Sequence, residues 1–187
     1  MSFRAVLGAL VLGLALYSAA RSRSPSVPSF AGDWVLNAQK STLPQSSPLP
    51  DRVELNVTLE TNRIGCEWRF ASRSGGATLT LNFTTGGTPS WIRSTGKEIA
   101  LSSLVVPGQS QPNPGDVEIS SKWVGRELKV LTHWMNRSKL GYELDDVWRL
   151  SADGNTLTMD RISVGPDAST GRTGETHAIL VFERAKN

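Results

Sequence analysis

The chain has 187 residues, 20 Lys and Arg against 17 Asp and Glu, and a formal charge of +3, enough length for one domain with a proper core. Its basic residues are scattered singly among acids, so the pI near 9.3 does not amount to the patch or run of a nucleic-acid binder, and no nucleic-acid partner is expected. The single cysteine, Cys66, excludes an intramolecular disulfide and a Cys-rich metal site, so the core has to carry the stability.

Residues 1–20 have the form of a secretory signal peptide. Arg4 is a thin positive start, Ala5 to Leu16 is an apolar run too short for a comfortable membrane span, and Ser18-Ala19-Ala20 offers small residues before a cut at Arg21. A secreted or periplasmic (cell-envelope) protein is the expectation, with no stable membrane insertion once the signal is removed. Retention as an uncleaved anchor is the alternative, and Arg21 and Arg23 keep it open. Residues 21–29, rich in Ser and Pro, predict a short tether, which leaves 30–187 as the folded domain.

Trp34 and Leu36 are the first residues expected to face a core, with Gly32 allowing a tight approach. Residues 38–50, with three prolines, predict an irregular crossover with room for one helical turn. Strand patterns follow. Val53, Leu55, Val57 and Leu59 alternate with polar residues, as do Ile64, Cys66, Trp68 and Phe70, and then Leu79, Leu81 and Phe83. Period-2 alternation with one polar face predicts half-buried antiparallel strands.

The turns predict the register. Thr61-Asn62 as a two-residue loop sets Leu59 opposite Ile64, Val57 opposite Cys66 and Leu55 opposite Trp68. Gly125-Arg126 sets Trp123 opposite Leu128, Ser121 opposite Val130, Ile119 opposite Thr132 and Val117 opposite Trp134. Asp153-Gly154 sets Leu150 opposite Leu157, Trp148 opposite Met159 and Asp146 opposite Arg161. Residues 84–98, rich in Gly, Ser and Thr around Trp91, and 107–115, with three prolines, predict long loops, with a further strand at 99–106. The last strand, about Glu175 to Arg184, is apolar on both faces and predicts a strand covered on both sides where a barrel closes. The fold class is all-β: a single antiparallel up-and-down barrel of lipocalin type with roughly 8–10 strands, and a two-sheet sandwich as the rival.

Two stretches carry a resemblance. Gly32-Asp33-Trp34 resembles the Gly-x-Trp signature of the lipocalin and calycin superfamily, and Arg184 lies where that group's last-strand Arg packs across the Trp. The stretch from Trp148 to Thr158, with Phe-x-Gly-x-Trp-x-Leu-Asn-x-x-Lys-Ser at 30–41, is similar to small secreted bacterial proteins with a lipocalin-like barrel and no assigned function. The resemblance implies a calyx able to hold a small apolar molecule, and gives Gly32, Trp34 and Arg184 a structural role.

Trp68, Phe70, Trp123, Trp134, Trp148 and Met159 fall on the expected inward face. Two readings stand: they line a ligand cavity, or they fill the barrel. Inward Ser103, Ser121 and Thr132 need buried partners, which a ligand or a trapped water can supply. Asp146 opposite Arg161 is either an anchor for a ligand's polar head at a cavity mouth or a cross-strand ion pair at the barrel rim. The histidines, His133 and His177, fall on outward faces, and neither has a nucleophile at catalytic spacing. No catalytic residues, metal site or cofactor are expected. Glu143, Asp145 and Asp146 suggest a solvated acidic strand end. Cys66 is expected to be a small buried hydrophobe. Asn56, Asn82 and Asn136 fit the glycosylation acceptor pattern. The functional expectation is a non-catalytic, exported barrel that binds a small apolar ligand. The alternative is an envelope module with a filled barrel, whose loops and exposed Trp91 contact a protein partner of unknown identity.

Overall fold

A computed structural model of the chain describes residues 27–43, 50–73, 75–93, 116–135, 141–166 and 173–186. The expected signal segment, the 99–106 strand with Ser103, the 107–115 loop and the Asn136 acceptor all lie outside the described residues. Among the described residues there is no helix. The described residues form ten strands: β1 (Gly32–Leu36), β2 (Arg52–Glu60), β3 (Arg63–Ser72), β4 (Gly75–Thr84), β5 (Ser90–Arg93), β6 (Asp116–Val124), β7 (Glu127–Met135), β8 (Gly141–Leu150), β9 (Thr156–Pro166) and β10 (Thr173–Arg184).

All ten belong to one antiparallel sheet in the order β4-β3-β2-β1-β10-β9-β8-β7-β6-β5. A two-sheet sandwich is therefore excluded. Each strand neighbours the next in sequence, with two exceptions. The first and last strands pair, Trp34 opposite Arg184, and β4 and β5 are the outermost strands among the described residues. A twisted sheet of this width curls, and the curl brings β4 against β5 and β6. No continuous ladder closes that seam among the described residues. It is pinned at one end, where Gly86 bridges Lys122, the Gly87 amide donates to the Ser121 carbonyl at 2.7 Å, and Ser121 Oγ donates to the Thr84 carbonyl at 2.8 Å.

The hairpin registers agree with the turn chemistry. Leu59 meets Ile64 and Leu55 meets Trp68; Trp123 meets Leu128 and Val117 meets Trp134; Leu150 meets Leu157 and Asp146 meets Arg161. At the last hairpin Gly154 adopts φ +72°, a left-handed conformation that glycine enters without a Cβ penalty, and the Ser151 amide donates to the Thr156 carbonyl at 2.9 Å. Alternate residues are consequently buried along β2 to β4 and β6 to β10, and the inward set merges into one core running from Phe30 to Phe182.

Three local expectations change. The stretch 84–98 is not all loop: Ser90–Arg93 forms β5, with Trp91 opposite Glu118 on the outer face. Four residues are too few to show alternation against a Gly- and Thr-rich background. Ile179 and Val181 on the outer face of β10 are only half-buried. The closing role of β10 therefore comes from its paired edges, β1 on one side and β9 on the other, rather than from cover on both faces. Packing also begins before the expected domain start, because Pro28 is buried.

One end of the barrel is shut by side chains. Phe30 is fully buried, stacked on Trp123 with ring centroids 5.4 Å apart and edge-on to Trp148 at 6.0 Å. Trp34 is also fully buried and its Nε1–H donates to the Phe30 carbonyl at 2.9 Å. The Arg184 guanidinium lies 4.3 Å above the Trp34 ring, while its Nε donates to the Gly154 carbonyl and its Nη1 to the Ala31 carbonyl, both at 3.0 Å. Gly32, at φ +136°, makes room for this: a Cβ there would collide with Arg184 Nη1.

Candidate functional site

The site is built on three successive inward rungs of β7, β8 and β9. Leu128, Trp148 and Met159 form the rung nearest the shut end. Val130, Asp146 and Arg161 form the next, and Thr132, Leu144 and Ser163 the third. Strict alternation puts all nine on the inner face, and all are buried. On β10 the residue opposite Arg161 is Ala178, small enough to leave the guanidinium room.

Asp146 and Arg161 make a bidentate pair: Nε and Nη2 donate to Oδ1 and Oδ2, each at 2.6 Å. This fork geometry is the strongest form of the interaction. The two side chains are 5% and 3% exposed, which corrects the expected placement at a rim or cavity mouth. Pairing fixes which residues meet but not how many rungs lie above them, and here the third rung still covers the pair. The same alternation breaks up the expected acidic strand end. Glu143 and Asp145 are exposed on the outer face and Asp146 is buried on the inner one.

Three buried donors around the pair have no hydrogen-bond partner among the described residues: Arg161 Nη1, Trp148 Nε1 and Ser163 Oγ. A buried donor left unmade costs about 1–3 kcal/mol. The Trp148 ring is meanwhile held edge-on by Phe30 at 6.0 Å and by Phe83 at 6.5 Å.

Beside the pair lies a cavity of about 20 Å³, lined by Cys66, Trp68, Leu81, Phe83, Ile119, Val130, Thr132, Trp134, Leu144, Asp146, Trp148 and Arg161. A water needs roughly 10–15 Å³, so the described side chains leave this cavity little more than room for one. The wall spans β3 and β4 on one side and β6 to β9 on the other, so the cavity borders the unladdered seam. Burial first, and the negative charge of Asp146 second, push the Cys66 thiol well above the usual thiol range. Larger hollows of about 370 and 280 Å³ include outer-face residues such as Lys122, Lys129 and Asp145, or Asp33, Glu54 and Arg69. Their exposed polar linings give a ligand nothing to be buried in.

Of the residues expected to line a cavity, the structure brings together Trp68, Trp134, Asp146, Trp148 and Arg161. Three others are not on its wall. Phe70 stacks on Trp68 with centroids 6.3 Å apart, Trp123 is half-buried against Phe30, and Met159 is fully buried on the rung nearer the shut end. Sequence reasoning missed Ser163, which continues the alternation Leu157, Met159, Arg161, and Phe30, which precedes any strand pattern. Outside the barrel, His133 and His177 pair with Glu143 and Asp160 at 2.8 and 2.6 Å. Among the described residues, no group of three His, Cys, Asp or Glu side chains is placed to hold a metal ion, and no helix is long and apolar enough to cross a membrane.

No protein-family model matches the chain, and no curated protein matches it in sequence. Solved structures are similar in fold. One is a zebrafish ileal bile acid-binding protein complexed with cholic acid, at 10% identity and a TM-score of 0.48, covering 83% of this chain and 98% of that one. Another is the apo form of lipid binding protein 8 from Caenorhabditis elegans, at 8% identity and a TM-score of 0.47, covering 86% and 99%. A third is secretory abundant heat soluble protein 4 from Ramazzottius varieornatus, at 9% identity and a TM-score of 0.46, covering 83% and 94%.

Proposed function

We propose that this protein is an exported, non-catalytic β-barrel that binds a small, largely apolar molecule in its interior, beside Asp146 and Arg161. The observation that carries the reading is that two residues of the cavity wall, Arg161 of the buried ion pair and its neighbour Trp148, each keep a buried donor unpaired among aromatic and aliphatic side chains. A barrel that serves only as a scaffold gains nothing from this arrangement. Well-packed apolar side chains in place of a buried ion pair are often neutral or stabilising, and each orphaned donor adds its own cost. A ligand that accepts hydrogen bonds turns those costs into binding energy.

The cavity as it stands holds something the size of a water, so a ligand has to part side chains. The seam between β4 and β5 is where this costs least, because its described ties sit at one end, at Thr84 to Gly87. Among the described residues, no backbone ladder joins β4 to β5 or β6 alongside Leu81 and Ile119.

A second reading has its own observation. Trp91 is 59% exposed on the outer face of β5, an aromatic of the kind that anchors protein interfaces. On this reading the barrel is a scaffold for a protein partner. Native mass spectrometry of the exported, purified protein separates the two. Extractable added mass, or saturable uptake of an apolar dye that quenches tryptophan, is the expected result. Clean apo mass with no dye uptake, together with partner binding lost in Trp91→Ala, would establish the second reading instead.

A further inference from the structure

We infer that the interior site selects an uncharged ligand bearing a hydrogen-bond acceptor, such as a ketone, aldehyde, ester or amide carbonyl on an apolar body, and rejects carboxylates. The inference rests on the interior-binding reading above and specifies its ligand class.

Two features of the site point this way. The first is the kind of atom left over. Arg161 Nη1 and Trp148 Nε1 both belong to groups that donate and cannot accept. Ser163 Oγ on the third rung does either. Trp148 and Arg161 sit one rung apart on adjacent strands, since Trp148 faces Met159 and Asp146 faces Arg161. Diagonal neighbours of this kind lie close enough for long side chains to converge. A ligand oxygen with two lone pairs suits such donors. A hydrocarbon leaves them unmade.

The second feature is charge. The Arg161 cation is already matched by Asp146, through two 2.6 Å hydrogen bonds, and both side chains are at least 95% buried. A ligand carboxylate would be a second anion beside one cation, leaving a net buried negative charge that nothing in the described interior offsets. An uncompensated buried charge is among the most costly arrangements in a protein. The direction in which the Cys66 thiol shifts agrees, because part of it comes from the negative charge of Asp146. That charge is therefore felt at the cavity wall where a ligand head would sit. A neutral carbonyl collects the spare donors without adding charge.

The test compares three ligands of similar length on the full protein at pH 7.5: 2-undecanone, decanoate and undecane, followed by tryptophan fluorescence and isothermal calorimetry. The expected result is that the ketone binds roughly tenfold or more tighter than either other ligand. In Asp146→Leu/Arg161→Met, the ketone should lose much of its advantage over the alkane, keeping the part that Trp148 Nε1 supplies. Decanoate binding as tightly as the ketone would overturn the charge argument and leave interior binding intact. Ketone and alkane binding equally to the wild type would overturn the donor argument, again with interior binding intact. If none of the three binds, interior binding itself fails and the inference falls with it. The wild-type comparison decides each case even if the double variant does not fold.

Discussion

The barrel contains two arginine–tryptophan neighbourhoods, and they are built on opposite principles. At the shut end, Arg184 covers Trp34, gives Nε and Nη1 to two backbone carbonyls, and the Trp34 N–H is used by Phe30. Three rungs further in, Arg161 is bound to Asp146 but keeps Nη1 unmade, and Trp148 beside it keeps its N–H unmade. The first neighbourhood is engaged where it needs to be and ties the N-terminal segment, β1, β10 and the 151–155 turn together. The second is only partly satisfied although its arginine is the more deeply buried of the two. A group that serves the fold spends its hydrogen bonds within the fold. One that serves a ligand has to hold some back, at a cost in stability.

The largest expected effect is on the inner neighbourhood. Asp146→Ala or Arg161→Ala alone strands a buried charge and should cost about 3–5 kcal/mol in urea unfolding. Asp146→Leu/Arg161→Met removes both charges and should be at least as stable as either single variant. A double variant less stable than both singles would mean that the pair is a structural strut like Arg184.

At the shut end, Arg184→Ala should cost about 2 kcal/mol, from a cation–π contact and two hydrogen bonds, and should leave ligand or dye uptake unchanged. Two serines sharpen the contrast. Ser121→Ala removes a hydroxyl that donates to Thr84 and should cost about 1 kcal/mol. Ser163→Ala removes an unpaired hydroxyl and should be neutral or stabilising by up to about 1 kcal/mol. Thermal unfolding measures both, and equal losses would erase the distinction between saturated and unsaturated groups.

Cys66 reports on access to the cavity wall. The residue is 1% exposed and its thiol is pushed up by burial, so it should resist a thiol reagent at pH 8 in the native state and react at once in urea. Rapid native labelling would mean that the interior opens without a ligand. The smallest effect lies outside the barrel. The His177 hydrogen bond first, and Arg149 second, hold the Asp160 carboxyl below its ordinary 3.8. A depressed carboxylate stabilises the fold fully above that ordinary value, and the contribution is lost as pH falls through its folded pKa. Asp160→Asn should therefore flatten the stability profile below about pH 4 and change it little at neutrality, where exposed pairs are worth about 0–1 kcal/mol.

The registers were legible in the sequence because each tight turn leaves few pairings that keep apolar residues on one face. Asp146 opposite Arg161 follows from Asp153-Gly154 in this way. Their depth was not legible, because it depends on how far β8 and β9 continue past the pair and on what covers it. Ser163 was within reach of the same alternation, whereas β5 was too short for any period to emerge. The cavity had no sequence signal. It is a small difference between the space the sheet encloses and the summed volume of the side chains inside, and lining and filling residues share one composition.

The contrast between the two neighbourhoods can be read directly from the six tryptophan indole N–H resonances in a nitrogen–proton NMR spectrum, with Trp34 and Trp148 assigned by Trp→Phe substitution. Titration with 2-undecanone should move the Trp148 indole resonance downfield, as its free N–H gains an acceptor, and leave that of Trp34 in place. If the ketone saturates the protein while the Trp148 resonance stays still, or moves no more than that of Trp34, the spare donors of the inner rungs are not a ligand site.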